Sequence, residues 1–308
     1  MSRFDRSLTI KGLHLKNPLI ACSGTYGFGD IYTEYVPASA WGGIAMKGIT
    51  PQPRLGNPAP RLRETPAGLL NAVGLENPGL KEFRHSCLPG MADIGTAVIV
   101  NISGFSVNDF KFMASRLDQE PNVDALEVNI SCPNIKHGGM QFGSDPDSAA
   151  EVVRAVRENT SLPLIVKLSP NVTDIAAIAR AVVQGGADAV SLINTLLGMS
   201  IDIETQKPFL GNTTGGLSGP AVRPVAVRMV YETYKAVDVP IIGMGGITCW
   251  QDAVEFMLAG ASAVGIGTAN FTNPLAPVEV LEGIEAYARE HGYGSLRELV
   301  GRAHRSGD

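Results

Sequence analysis

The segment Asn129-Ile130-Ser131-Cys132-Pro133-Asn134 places a thiol and two carboxamides directly after the apolar run Ala125-Leu126-Glu127-Val128. An apolar run that ends in reactive side chains suggests a strand delivering an active site. Cys132 can serve there as nucleophile, as base, or as an inert group. A thiol with an ordinary pKa of about 8.5 is mostly protonated at neutral pH, so base catalysis needs nearby positive charge or alkaline conditions. His137 follows five residues later and invites a Cys–His pairing. The intervening Pro133-Asn134-Ile135-Lys136 is loop-like and fixes no such geometry, so His137 is expected at the surface.

Lys47 and Lys167 also end apolar runs. Burying an ammonium without an anion costs several kcal/mol. One such lysine is as readily explained by a local salt bridge, but two facing one mouth favour an anionic ligand. Gly245-Gly246 and Gly267-Thr268 end two further runs, where backbone N–H groups of adjacent loops can converge on a phosphate. Asn71, Asn101, Asn129, Asn134 and Asn194 are the other concentration. Each alone suits a turn or cap; together they suit a flat, amide-rich ring such as a pyrimidine or a flavin.

The elements that must carry these groups are short and apolar: Pro18 to Cys22, Gly43 to Lys47, Ala97 to Asn101, Ala125 to Asn129, Leu164 to Leu168, Ala189 to Ile193, Pro240 to Met244 and Ala263 to Gly267. Near-continuous apolar strands are what a parallel sheet covered on both faces requires. Helical patterns separate several of them, at Asp145 to Asn159, Thr173 to Val183 with Thr173 as cap, Ala221 to Val237, Gln251 to Ala259 and Pro277 to Glu290. Gly185-Gly186-Ala187-Asp188-Ala189-Val190 and Gly260-Ala261-Ser262-Ala263-Val264 echo each other at helix-to-strand junctions. The expected fold is α/β: a single-domain (β/α)8 barrel of the TIM type spanning residues 1–308. It carries an N-terminal β-hairpin around Lys11-Gly12 and long loops at the C-terminal face, 48–81 and 196–220, expected to act as lids or binding loops.

Composition narrows the function. The 308 residues are 44% hydrophobic and 18% charged, enough to bury a large core, and the net charge is −5. Lys and Arg are scattered, so no basic stripe exists to track nucleic acid. The N-terminus leads into no apolar signal core and no run has membrane-spanning length, so a cytoplasmic protein is expected. The four cysteines form no C-x-x-C pair, which argues against a metal centre or cluster on this chain. Cys22, Cys87 and Cys249 are expected to be small buried apolar groups.

The chain resembles the dihydroorotate dehydrogenases, flavin enzymes of pyrimidine biosynthesis, from the first hairpin to about Phe271. The resemblance rests on Asn71-Ala72-Val73-Gly74-Leu75-Glu76-Asn77-Pro78-Gly79, on Asn129 to Asn134, on Gly243-Met244-Gly245-Gly246-Ile247 and on Gly265-Ile266-Gly267-Thr268-Ala269-Asn270. It implies FMN held by Ser23, Lys47, Gly48, Asn101, Asn129, Lys167, Ile193, Gly219, Gly245, Gly246, Gly267 and Thr268. It implies substrate contacts from Lys47, Asn71, Ala72, Val73, Gly74, Leu75, Asn129, Asn194 and Thr195, with Cys132 as the base that removes the C5 proton of dihydroorotate while C6 yields hydride to FMN.

Within the family, membrane-bound members that use quinone carry an N-terminal extension and a serine base, and this chain is not expected among them. The loop Ile135 to Gly143 resembles that of the NAD-linked type. That type implies a homodimer of this chain within a heterotetramer, whose partner subunit carries FAD and a 2Fe–2S cluster. A fumarate-using homodimer is the nearest alternative. A Schiff-base lyase using Lys167 is the rival from another class, and the segment Cys132 to Gly143 is the candidate lid.

Overall fold

The computed structural model of the protein describes residues 4–131 and 142–305. β1 (Leu8–Ile10) and β2 (Leu13–Leu15) pair antiparallel through Lys11-Gly12, whose φ values are both positive, 40° and 87°. Such a two-residue turn matches the twist of its strands, and glycine adopts it without steric cost. Ile10, Leu13 and Leu15 pack with Ile20, Ala45, Ile99, Ile165 and Ile242, so the hairpin closes the bottom of the barrel described next.

β3 (Leu19–Ala21) and β4 (Gly43–Ala45) begin the repeat. β5 (Leu62–Thr65), β6 (Gly68–Asn71) and the single turn α1 (Gly79–Glu82) intervene before β7 (Ala97–Ile102) and α2 (Val107–Leu117). The chain continues through β8 (Ala125–Asn129), α3 (Pro146–Arg157), β9 (Leu164–Lys167), α4 (Ile175–Gln184) and β10 (Ala189–Leu192). A second excursion holds β11 (Leu196–Met199), β12 (Ile201–Asp202), β13 (Lys207–Pro208) and β14 (Thr214–Ser218). The last units are α5 (Arg223–Tyr234), β15 (Ile241–Met244), α6 (Trp250–Ala259), β16 (Ala263–Ile266) and α7 (Ala276–Glu290).

Eight strands close in the order β3-β4-β7-β8-β9-β10-β15-β16, with β16 pairing back to β3, and every neighbour is parallel. This is the expected (β/α)8 barrel. Outward side chains such as Val98, Leu126, Val166 and Val190 pack under the helices, while inward ones alternate with them. The lower interior is apolar, with Ile99, Ala125, Ile165 and Ala189. One layer up it turns polar: Asn101 pairs in register with Glu127, and Ser191 with Lys167.

The helices follow from amphipathic spacing. α3 buries Ala149, Val152, Val153 and Val156, with Asp145 accepting from Ser148 N at 2.8 Å as its cap. α4 is capped by Asp174, which accepts from Ala177 N, and not by Thr173. A carboxylate is the better acceptor at the positive end of a helix. α2 was not marked by the sequence pattern, yet Ser106 and Asp109 cap it reciprocally and Phe110, Met113 and Leu117 anchor it.

The two long segments are not plain loops. Each folds into strands, and the two pair with one another in a four-stranded sheet of order β11-β14-β6-β5 at the barrel mouth. Their glycines masked this: Gly216 sits where a Cβ would lie 2.0 Å from Thr195 Oγ1, so only glycine admits the approach. Among the described residues, no helix is long and apolar enough to cross a membrane.

Candidate active site

Barrel strand ends and the four-stranded sheet enclose a cavity of about 280 Å³. Ser23, Lys47, Gly48, Asn101, Asn129, Lys167, Ile193, Gly245, Gly246, Gly267 and Thr268 line it from the barrel. Asn71, Val73, Gly74, Leu75, Asn194, Thr195 and Gly219 line it from the excursions. Ala72 does not. Strand alternation turns its side chain into a small apolar cluster with Leu70 and Leu210. Cys132, Asn134, His137 and nearly all of the candidate lid lie outside the described residues.

The two lysines differ in their surroundings. Lys167, buried at the end of β9, has the Glu127 carboxylate 3.9 Å from its ammonium. Glu127 also accepts from Asn101 Nδ2 at 2.6 Å and from Ser191 Oγ at 2.7 Å. Lys47 has no such counter-ion: among the described residues, no acceptor hydrogen-bonds its ammonium. Desolvation lowers its pKa below the ordinary lysine range, opposed in part by Glu76, which is itself bridged to Arg61 at 2.6 Å. Lys47 is therefore a half-buried cation on the cavity wall whose charge an anionic ligand would stabilise.

The glycine pairs lie side by side because β15 and β16 are neighbours. Gly245 and Gly246 take φ of 132° and 79°, which aims their N–H groups in directions that other residues rarely permit. The backbone N–H groups of Gly245, Gly246, Gly267 and Thr268 donate to no backbone acceptor among the described residues. Thr268 Oγ1 donates to Ser218 Oγ at 2.8 Å and Arg223 pairs with the buried Asp252, which together fix the cradle's rim. The chemistry suits a phosphate. On the floor, Asn101 Oδ1 is buried without a partner while Asn101 Nδ2 is committed to Glu127, which leaves one acceptor of a cavity-lining side chain unused. A phosphate cradle and an orphaned acceptor in one cavity fit FMN.

At the opposite rim, Asn129 Oδ1 accepts from Ser131 Oγ at 2.6 Å and from Asn194 Nδ2 at 3.3 Å, and Asn194 Nδ2 also donates to Ser131 Oγ. Asn171 fixes the neighbouring turn, donating to Thr195 O and accepting from Leu197 N. The chain passes from this cluster at Ser131 directly into Cys132. Of the three cysteines expected to be buried apolar groups, Cys22 is one: burial pushes its thiol up to about 12, and Sγ lies 3.8 Å from Met244 Sδ. Cys87 and Cys249 are only part buried.

Several wall residues carry no sequence signal. Leu62, Leu69, Leu217 and Phe271 supply apolar wall, and the place of the three leucines depends on the pairing of the two excursions. Glu127 was visible as a lone acid inside an apolar run; the period-two alternation of its strand would have turned it inward with Asn129.

The dihydroorotate dehydrogenase family model matches residues 6–287. Proteins named dihydroorotate dehydrogenase B (NAD(+)), catalytic subunit, from Desulforamulus reducens and Desulforudis audaxviator are each 55% identical to this chain. The alignments cover 98% of this chain in both cases, and 99% and 98% of those proteins. The protein of that name from Parabacteroides distasonis is 54% identical over 96% of this chain and 97% of its own. The crystal structure of DHODH from Eimeria tenella in complex with ferulenol superposes with a TM-score of 0.81 at 23% identity, covering 98% of this chain and 89% of that one, and shares the fold. With its barrel, its cavity and these full-length relatives, the chain belongs to the dihydroorotate dehydrogenase family.

Proposed function

We propose that this chain oxidises (S)-dihydroorotate to orotate in de novo pyrimidine (UMP) biosynthesis, as the FMN-binding catalytic subunit of an NAD-linked enzyme. The observation that carries the reading is the cavity itself: it gathers an ammonium without a counter-ion among the described residues, the carboxamides of Asn71, Asn129 and Asn194, and a cradle suited to phosphate. Full-length identity to proteins named as NAD-linked catalytic subunits supports the choice of acceptor.

In this reading Lys47 pairs with the substrate carboxylate by a charge-assisted hydrogen bond. Asn71, Asn129, Asn194 and Thr195 take up the donors and acceptors of the pyrimidine ring, with Val73, Gly74 and Leu75 closing over it. The C5 proton lies α to a carbonyl, so Cys132 as thiolate can remove it. When bound, FMN supplies the two-electron acceptor for the hydride that leaves C6. Gly219, Gly245, Gly246, Gly267 and Thr268 would hold its phosphate and ribityl chain, while Ser23, Gly48, Asn101, Lys167 and Ile193 would hold the ring. Glu127 gives Lys167 a structural counter-ion, so its place at the mouth needs no Schiff-base chemistry. A partner subunit carrying FAD and a 2Fe–2S cluster would supply the onward route to NAD, in a cytoplasmic heterotetramer built on a homodimer of this chain.

The test is Cys132→Ala. The purified variant should remain yellow and bind orotate, yet lose nearly all reduction by dihydroorotate in single turnover; reduction at the wild-type rate would remove Cys132 from the base role.

A further inference from the structure

Glu127 is the one carboxylate in the barrel interior among the described residues, at a level where the layer below holds only Ile and Ala. It is 2% exposed and does not reach the cavity wall, whereas its partners Asn101 and Lys167 do. Burying a carboxylate is costly unless paired and hydrogen-bonded, and here both conditions are met, by Lys167 at 3.9 Å, Asn101 at 2.6 Å and Ser191 at 2.7 Å. Because an ionised carboxylate only accepts, it fixes the orientation of the Asn101 amide, with Nδ2 turned towards Glu127.

We propose that Glu127 is a positioning residue that orients Asn101 and Lys167 against the bound flavin and offsets the Lys167 charge, keeping the flavin's reduction potential low. The inference rests on the FMN reading above. An uncompensated ammonium beside a flavin favours the reduced, more negative form; a carboxylate behind that ammonium opposes it. A low potential suits an enzyme that must hand its electrons on to NAD.

Glu127→Gln is close to isosteric, and each hydrogen bond can survive: the Gln oxygen accepts from Asn101, and the Ser191 hydroxyl rotates to accept from the new amide. The expected result is a holoenzyme that keeps FMN and whose reduced-to-oxidised ratio at fixed poise rises by about tenfold, or about 30 mV for a two-electron couple. Glu127→Asp, which keeps the charge but withdraws it from Asn101, should hold the wild-type potential while weakening FMN binding severalfold, and this variant decides the matter if the Gln protein does not fold. A wild-type potential in Glu127→Gln or a raised potential in Glu127→Asp would overturn the proposal. Failure of the wild-type chain to bind FMN at all would instead overturn the reading beneath it.

Discussion

Lys47→Met removes the one cation of the cavity that lacks a partner among the described residues, while keeping an unbranched side chain one atom shorter. In the free protein Lys47 is held half-buried by desolvation, with only partial opposition from Glu76. Its charge is therefore a cost until an anion arrives. A charge-assisted hydrogen bond contributes about 1.5–3 kcal/mol, so the variant should bind orotate roughly tenfold to 150-fold more weakly. Titration of orotate into the holoenzyme, followed by flavin absorbance, reads this directly, and FMN content serves as the control. The lowered pKa fixes the sign of two pH effects. Orotate affinity should hold below the Lys47 pKa and fall as pH rises through it, earlier than an ordinary lysine would allow. Stability of the free protein should instead gain from the same deprotonation, since the penalty is fully present below the depressed pKa and gone above the ordinary one. The Met variant should show neither trend. Orotate affinity within twofold of wild type would refute the reasoning.

The phosphate cradle gives a second test. Gly246→Ala forces a side chain onto φ of 79° and places its Cβ 2.7 Å from Gly219 O, so FMN affinity measured by fluorescence titration should fall more than tenfold. Asp252→Ala removes a buried carboxylate that accepts from Arg223, Thr248 and Cys249 at the start of α6; denaturant titration should show a loss of about 2 kcal/mol. Asn101→Leu deletes the orphaned acceptor together with the Nδ2 donor that Glu127 accepts from, so it should weaken FMN binding and cost about 1–3 kcal/mol of stability in denaturant titration.

The barrel was legible because parallel strands buried on both faces leave continuous apolar runs, and their polar last residues mark the mouth. Each expected strand exists within a residue or two of its expected ends. The mouth sheet was not legible. Its strands run through Gly68, Gly198, Gly215 and Gly216, and the β6–β14 pairing that joins the two excursions spans some 150 positions in sequence, so neither periodicity nor local turn chemistry reveals it. The same distance hid the wall residues Leu69 and Leu217, which meet only through that sheet. Lys47 and Lys167 looked equivalent in sequence. What separates them is Glu127, brought beside Lys167 by the register of β8 and β9. Thr173 was expected to cap α4, but the neighbouring Asp174 carboxylate, a stronger acceptor, takes that place.

The central claim is that this cavity oxidises dihydroorotate. The most direct measurement is anaerobic mixing of the purified yellow chain with dihydroorotate while flavin absorbance is recorded, followed by NAD or fumarate added separately. The account predicts bleaching within the mixing experiment, and reoxidation by NAD only after an FAD- and cluster-bearing partner subunit is supplied. A yellow protein that does not bleach would contradict the claim, and rapid reoxidation by fumarate alone would contradict the NAD-linked assignment.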